Sequence, residues 1–265
     1  MYTSFQLVKK YLHYYLTASN GKGHGVHSPF VFDFIKNVLR DKKEYEYYRV
    51  IEKGRQQLLK QKGSIEVEDL GAGSAIIKTN KRVVADMAKS SLKPAKYARL
   101  LYRIVNYYKP VTILELGTSF GITTAYLAAA GHNAKVYTIE GSPAIADIAK
   151  KTFSRVGLTN VELSEGNFDI VLPKLLTKLG NIDLAFIDGN HRKEPTLGYF
   201  AQLLNCSTPS TILVFDDIHW SVEMEEAWAL IQQHPAVTLS IDLFFIGIVF
   251  LNADFNHKQH FTIRF

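Results

Sequence analysis

The sequence predicts an α/β fold with a mostly parallel sheet, and three observations support this. Residues 113–140 run in the order strand, glycine turn, helix, strand. Two later apolar runs, 182–187 and 211–215, each end in aspartate, and the first 109 residues show mainly helical spacing. The chain has 265 residues and is 47% hydrophobic, enough for a sizeable core. We therefore expect a helical N-terminal cap at residues 1–109 and the sheet domain at residues 110–265.

Helical spacing of apolar residues predicts the elements of the cap. A first helix is indicated by residues 5–16, and Ser28 with Pro29 starts a second. A third spans residues 41–62 and stops at Gly63. Pro94 opens a fourth helix, whose inward positions are expected to be Leu100, Leu101, Ile104 and Val105.

One strand, turn, helix and strand unit predicts a nucleoside-binding site. A short apolar strand, residues 113–116, leads into Gly117, which permits a sharp turn beside a ligand. Gly121 opens a helix whose free backbone N–H groups point back at that ligand. A second strand, residues 136–139, ends in Glu140, whose carboxylate can accept hydrogen bonds from ribose hydroxyls.

The glycine spacing distinguishes between nucleoside ligands. A dinucleotide site has the pattern G-x-G-x-x-G, which lays a pyrophosphate on backbone amides. Here the pattern is Glu115-x-Gly117-x-x-x-Gly121, and Ser119 and Thr123 offer hydroxyl groups instead. This unit resembles that of the class I S-adenosylmethionine-dependent methyltransferases, whose ligand has no phosphate. The resemblance implies a Rossmann-like, seven-stranded methyltransferase sheet with an antiparallel C-terminal edge.

The resemblance also implies which residues bind the cofactor S-adenosylmethionine. Glu140 would hold the ribose, and Asp188 would contact the cofactor as well as a metal. The methionine side and the turn over the adenine are expected to be lined by Glu115, Gly117, Ser119, Gly121 and Thr123, and by Gly166, Asn167 and Phe168.

Three aspartates follow two apolar strands and predict a cation site. Asp188 ends the run 182–187, and Asp216 and Asp217 end the run 211–215. The carboxyl ends of parallel strands meet at one edge of a sheet, where clustered carboxylates repel one another unless a cation neutralises them. Such hard oxygen ligands suit Mg²⁺ or a similar divalent ion.

These segments resemble the divalent-metal-dependent small-molecule O-methyltransferases. That group includes the catechol and caffeoyl-coenzyme A enzymes and relatives with an Asp-Gly-x-His signature. The resemblance implies that Asp188, Asp216 and Asp217 are metal ligands and that His191 and Asp188 are catalytic, with His191 as general base. Catechol O-methyltransferase has Asn at the position of Asp217, which leaves the identity of the metal open.

Two further glycine-rich segments have open roles. Asp69 to Ser74 is interpreted as a loop or lid that precedes a helix rather than as a second nucleoside turn. His24 and His27 lie in a glycine-rich loop, which is either part of the acceptor site or a turn between helices. His-x-x-His alone lacks the further ligands that a zinc site needs.

Charge and composition limit the partners. Residues 1–110 carry 21 Lys and Arg against 9 Asp and Glu, whereas the remainder carries 10 against 16. The basic cap favours an anionic acceptor, although solvated helix faces explain it equally well, and without an RNA-binding motif nucleic acid is not the expected partner. The single cysteine, Cys206, and the lack of a long apolar run predict a cytoplasmic protein without a membrane partner. A homodimer is a further expectation.

Three functions remain compatible with the sequence. The favoured one is O-methylation of a small hydroxylated molecule assisted by a divalent metal. The second is metal-independent methylation of nitrogen or nucleic acid, although the Asn-Pro-Pro-Tyr type of signature is missing. The third is a non-catalytic protein that binds S-adenosylmethionine.

Overall fold

The computed structural model describes residues 1–23, 27–67, 81–131, 133–252, 255 and 257–265. They form two compact units. The terminal unit comprises Met1–Asp41 and Gly180–Phe265, and the central unit comprises Lys42–Leu179. The division of the sequence into a helical cap at residues 1–109 and a sheet domain at residues 110–265 stays a prediction.

Helices and strands alternate along most of the described chain. The helices are α1 Ser4–Thr17, α2 Pro29–Phe34 continued by a π-helical segment Ile35–Leu39, α3 Glu46–Leu58, α4 Val84–Ser91, α5 Ala95–Tyr108, α6 Ile122–Ala130, α7 Pro143–Val156, α8 Phe168–Leu179, α9 Lys193–Leu204 and α10 Val222–Gln233. The strands are β1 Ser64–Glu66, β2 Lys81–Val83, β3 Thr112–Leu116, β4 Lys135–Glu140, β5 Val161–Glu165, β6 Ile182–Ile187, β7 Ser207–Asp216, β8 Leu239–Asp242, β9 Ile246–Phe250 and β10 Gln259–Thr262.

The central unit contains three parallel strands in the order β3, β4, β5. β3 and β4 are linked through α6, a crossover that parallel strands require. Every residue of α6 is buried, which explains why its sequence is apolar and small rather than amphipathic. In the described part of this unit, β1 and β2 also form a short antiparallel pair, where the sequence predicts a loop and the start of a helix.

Helix α5 shows how the apolar spacing of the sequence determines packing in the central unit. Leu100, Leu101, Ile104 and Val105 are completely buried, as their spacing predicts. The helix packs against α6 and ends at Lys109, which takes the left-handed conformation with φ 54°. The chain then enters β3 directly, so α5 and α6 both support the strand that leads into the glycine turn.

The terminal unit contains five strands in the order β10, β8, β9, β7, β6. β6 and β7 are parallel, whereas β9 runs antiparallel to both β7 and β8. The last strand, β10, is parallel to β8. The described strands of the large sheet therefore number eight rather than the predicted seven, because residues 259–262 add a strand beyond β8.

Helix α1 belongs to the terminal unit and is tied to its last strand. Tyr14 is buried, packs against Phe244 and donates a hydrogen bond from its hydroxyl group to the carbonyl of Ile263. Just after the helix, Ser19 forms a parallel β-bridge with Ile263. Among the residues that the structure describes, there is no helix with the length and apolar character needed to cross a bilayer.

Candidate functional site

The turn between β3 and α6 is built on two glycines. Gly117 has φ 102° and Gly121 has φ 76°, a region that favours glycine. The N–H groups of Gly117 and Thr118 both donate to the carbonyl of Ile139, which joins the turn to β4. A Cβ on Gly121 would lie 2.5 Å from the Phe153 ring, so even a methyl group collides there. The turn is therefore fixed both by backbone conformation and by close packing.

Ser119 and Glu140 face one another across this turn. The Ser119 N–H donates to Oε2 of Glu140 at 2.8 Å, and the Ser142 N–H donates to Oε1 at 3.0 Å. Burial raises the pKa of the Glu140 carboxyl above its usual value, although these backbone hydrogen bonds oppose the shift. Each carboxylate oxygen has a second lone pair, and Glu140 is only half-buried, so it can still accept ribose hydroxyls.

Glu115 lies deeper than its predicted role in cofactor binding requires. Its side chain is completely buried, and Oε2 accepts hydrogen bonds from the hydroxyl groups of Thr124 and Thr138. Thr124 lies in α6 and Thr138 in β4, so the carboxylate connects three elements of the turn. Glu115 therefore links β3 to α6 and β4 through hydrogen bonds, and its side chain exposes no surface to a ligand.

The remaining predicted cofactor residues of the central unit lie at the starts of helices. Thr123 is in the first turn of α6 and is mostly buried. Gly166 has φ 136° and donates its N–H to the Glu140 carbonyl, which connects the ends of β4 and β5. The side-chain oxygen of Asn167 accepts the Asp169 N–H at 2.8 Å, and Phe168 begins α8 half-buried.

The terminal unit brings Asp188, His191 and Asp216 together. Each offers one ligand atom, and these atoms all lie within 4.8 Å of one another. His191 Nε2 is 3.5 Å from a carboxylate oxygen of Asp188. Asp216 is buried at the end of β7, whereas Asp188 and His191 are half-buried. Two carboxylates and an imidazole fit a divalent cation in chemistry and spacing.

The loop after β6 holds Asp188 and His191 in place. Asn190 takes the left-handed conformation, with φ 63°, and its amide donates to the Tyr199 hydroxyl at 3.0 Å. Its side-chain oxygen accepts from the Arg192 guanidinium at 2.8 Å. Asn tolerates positive φ better than most residues, which explains its place between Asp188 and His191.

Asp217, predicted as a third metal ligand, lies outside this cluster. It also has positive φ, 52°, and its N–H donates to the Phe245 carbonyl at 2.7 Å. Asp217 does not belong to the group of ligand atoms that lie within 4.8 Å of one another. The structure therefore brings Asp188 and Asp216 together with His191, and metal binding by these residues and by Asp217 stays a prediction.

A cavity of about 590 Å³ in the terminal unit was not predicted from the sequence. On its wall, His219 contacts Glu225 at 2.9 Å and Asp242 at 2.8 Å, while Tyr2 and Lys10 donate hydrogen bonds to Glu225. Burial lowers the pKa of His219, but its hydrogen bonds to the two carboxylates outweigh this and raise the pKa overall. No sequence motif indicates this network, because hydrogen-bonded partners within it are up to 223 residues apart. Asp188, His191 and Asp216 are not among the described residues that line this cavity.

Two predictions fall partly or wholly outside the described residues. The proposed lid, Asp69 to Ser74, and His24 both lie there, while His27 is described and exposed. Their roles in an acceptor site stay predictions.

The sequence of the chain is similar to those of known methyltransferases. Residues 114–218 match the family model of a methyltransferase domain. The chain is 34% identical to a catechol O-methyltransferase of Niastella koreensis over 53% of its own length and 63% of the relative. It is 29% identical to a catechol O-methyltransferase of Mycobacterium tuberculosis over 47% of its length and 56% of that relative. It thus spans about three fifths of the length of these two relatives.

The fold of the chain is similar to that of a solved O-methyltransferase structure. An O-methyltransferase from Bacillus cereus, crystallised in complex with SAH, matches with a TM-score of 0.55 at 21% identity. The match covers 83% of this chain and 97% of the other. The mostly parallel sheet with an antiparallel strand near its edge is therefore an architecture shared with O-methyltransferases. In sequence and in fold, the chain resembles class I S-adenosylmethionine-dependent methyltransferases of the catechol O-methyltransferase type.

Proposed function

We propose that this protein is an S-adenosylmethionine-dependent O-methyltransferase that acts on a small hydroxylated acceptor with the help of a divalent cation. One observation carries the proposal: the segment that matches a methyltransferase domain, residues 114–218, contains both the glycine turn with Glu140 and the cluster of Asp188, His191 and Asp216. The first feature suits a nucleoside cofactor, and the second suits a cation.

The central unit would bind the cofactor. Glu140 accepts the ribose hydroxyls, and the Gly117–Gly121 turn admits the methionine end with Ser119 and Thr123 as hydrogen-bonding partners. Glu115 contributes by holding α6 through Thr124 rather than by direct contact. Gly166, Asn167 and Phe168 form the turn assigned to the adenine. SAH in the Bacillus cereus relative supports the choice of cofactor.

The terminal unit would bind the cation and the acceptor oxygen. Asp188 and Asp216 would supply oxygen ligands, and a cation held there would lower the pKa of an acceptor hydroxyl group. If Asp217 completes the coordination instead of His191, His191 would be available to take the proton, with its Nε2 atom 3.5 Å from a carboxylate oxygen of Asp188. Matched substitutions of His191 and Asp217 test which of the two residues completes the coordination.

Methyl transfer needs few other groups. The deprotonated acceptor oxygen would attack the methyl carbon of bound S-adenosylmethionine, the bond from carbon to sulfur would break, and the electron pair would remain on sulfur, giving S-adenosylhomocysteine. The protein's contribution is chiefly in-line positioning and exclusion of water. The excess of positive charge in residues 1–110 supports an anionic acceptor, and the single cysteine supports the cytoplasm as the place of reaction.

Calorimetry and a transfer assay test the proposal. We expect S-adenosylmethionine to bind, and labelled methyl groups to pass to a catechol or an acyl-coenzyme A phenol when Mg²⁺ or Mn²⁺ is present. Transfer that continues in chelator would contradict the cation's role, and transfer to RNA alone would support the metal-independent alternative. Cofactor binding without transfer to any acceptor in the panel would favour a non-catalytic protein.

A further inference from the structure

Helix α1 carries an apolar surface that the described structure leaves uncovered. The exposed fractions of Phe5, Val8, Leu12 and Leu16 are 79%, 57%, 55% and 78%. These residues are spaced by three or four positions, so they form one continuous row along the helix, which we call the α1 stripe. A continuous exposed apolar surface of this kind marks an interaction site more often than scattered apolar residues do.

The buried face of α1 is a different one. Tyr14 and Ala18 are buried against Phe244, with Leu7 and Tyr11 packed beside them. Helix α1 is thus anchored to the terminal unit on one side and presents a second apolar side to its surroundings. The stripe is not required to hold the helix in place.

Positive groups border the α1 stripe on both sides. Successive helical residues are about 100° apart, so Lys9 lies next to Val8 and Leu12 on one flank. On the other flank Tyr15 is covered by the Arg264 guanidinium, 4.4 Å from its ring centroid. Residues 1–32 contain no Asp or Glu. The stripe is therefore an apolar surface between cationic borders.

We propose that the α1 stripe docks onto the surface of an anionic lipid bilayer. An amphipathic helix with apolar residues on one face and basic residues at its borders binds in the plane of the interface, where its apolar side chains enter the headgroup region and its cations meet lipid phosphates. Tyr15 adds an aromatic ring with a polar tip, which suits the headgroup level. This peripheral contact is compatible with the lack of a spanning helix in the described chain.

Charge argues for lipid rather than a second copy of the chain. In a two-fold pairing of α1 stripes, the same surface of each copy meets the other. Lys9 lies near the middle of Ser4–Thr17, so two Lys9 side chains would approach one another, and α1 has no carboxylate to neutralise them. An anionic bilayer supplies the missing negative charge.

Vesicle sedimentation of the full chain tests the proposal. We expect binding to vesicles of phosphatidylcholine and phosphatidylglycerol in equal parts, weaker binding to pure phosphatidylcholine, and a loss of binding at high salt. The double variant Phe5→Ser, Leu16→Ser should weaken binding by at least about tenfold, since each lost side chain removes a large apolar contribution. Lys9→Glu should weaken binding to the anionic vesicles selectively.

Ile170→Ser is the matched control. Ile170 is 61% exposed but lies on α8, away from the stripe in sequence and unit, so its loss should leave vesicle binding unchanged. All substituted positions are exposed, and thermal unfolding checks that the variants fold. Failure to bind anionic vesicles, or equal binding by the stripe variant, would overturn the proposal. Sedimentation velocity that shows a dimer abolished by Phe5→Ser, Leu16→Ser would overturn it in favour of a second copy.

Discussion

The Ser119 N–H donates to Oε2 of Glu140 at 2.8 Å, so the acid at the end of β4 holds the glycine turn before any ligand arrives. The same carboxylate is the group expected to bind ribose. One side chain thus fixes the turn and offers its remaining lone pairs to the cofactor, which makes Glu140 the most informative position to change.

Glu140→Gln should weaken cofactor binding by about tenfold, because hydrogen bonds to a charged acceptor contribute about 1.5–3 kcal/mol. Isothermal titration calorimetry with S-adenosylmethionine measures the change. Glu165→Gln is the matched control, since Glu165 pairs with Glu140 in the β4–β5 register but is exposed. Equal losses in both variants would argue against a specific role for Glu140.

The raised pKa of Glu140 also predicts a pH dependence of stability. A carboxyl whose pKa is higher in the folded than in the unfolded state destabilises the fold when it is ionised, and this cost disappears as pH falls through the folded pKa. Glu140→Gln removes this pH-dependent cost, although its NH2 group would face one of the two N–H donors that the carboxylate accepts. The free energy of unfolding of the variant relative to wild type should therefore be less favourable near pH 4 than at pH 7 in urea denaturation series, and the opposite trend would contradict the shift.

Gly121→Ala should destabilise the fold more than Gly157→Ala. Both glycines have similar positive φ, 76° and 79°. A Cβ at Gly121 meets the Phe153 ring at 2.5 Å, whereas at Gly157 nothing lies within 4 Å. We expect a loss of about 1–2 kcal/mol at Gly157 from backbone strain and about 1–3 kcal/mol more at Gly121 from overpacking. Equal losses by urea denaturation would show that packing at Gly121 is unimportant.

Glu115→Gln tests whether Glu115 stabilises the fold around the turn or contacts the cofactor directly. The change keeps the shape of the side chain but weakens its hydrogen bonds with Thr124 and Thr138, so we expect a loss of about 1–3 kcal/mol in the free energy of unfolding. Cofactor affinity should change by less than about threefold, since the carboxylate is fully buried. Unchanged stability with a much weaker Kd would instead support direct contact.

Asp188→Asn and Asp216→Asn should each weaken Mn²⁺ binding by more than about tenfold, because each removes a charged ligand from the cluster. Asp217→Asn is the matched control and should bind Mn²⁺ nearly as wild type does. Calorimetry without cofactor measures the three affinities. A loss at Asp217 equal to that at Asp216 would show that Asp217 is the third ligand, and a loss at His191→Ala would identify His191 in that place.

The glycine turn was predictable because its function depends on neighbours in sequence. Gly117, Gly121 and Glu140 follow from strand and helix periodicity and from the conformations that glycine permits. The aspartates at the ends of β6 and β7 follow from the same logic. Their exact grouping does not, because the group of Asp188, His191 and Asp216 depends on how the ends of two strands meet in space.

Other features depend on contacts between distant residues. The spacing of Phe5, Val8, Leu12 and Leu16 correctly predicts a helix, yet periodicity alone does not say which apolar face is covered. Likewise, the burial of Glu115 depends on hydroxyl groups in α6 and β4. The eighth strand of the large sheet needs residues 259–262 to pair in parallel with β8, a choice that the short segment does not encode locally.

The link between α1 and the last strand has a consequence for synthesis. Tyr14 and Ile263 are 249 residues apart, and at about 5–20 residues per second the ribosome needs on the order of ten seconds or more to make the intervening chain. Until residues 242–263 emerge, both apolar faces of α1 are uncovered on the nascent chain. Helix α1 is therefore accessible to chaperones or to a membrane during translation, before Phe244 covers its inner face.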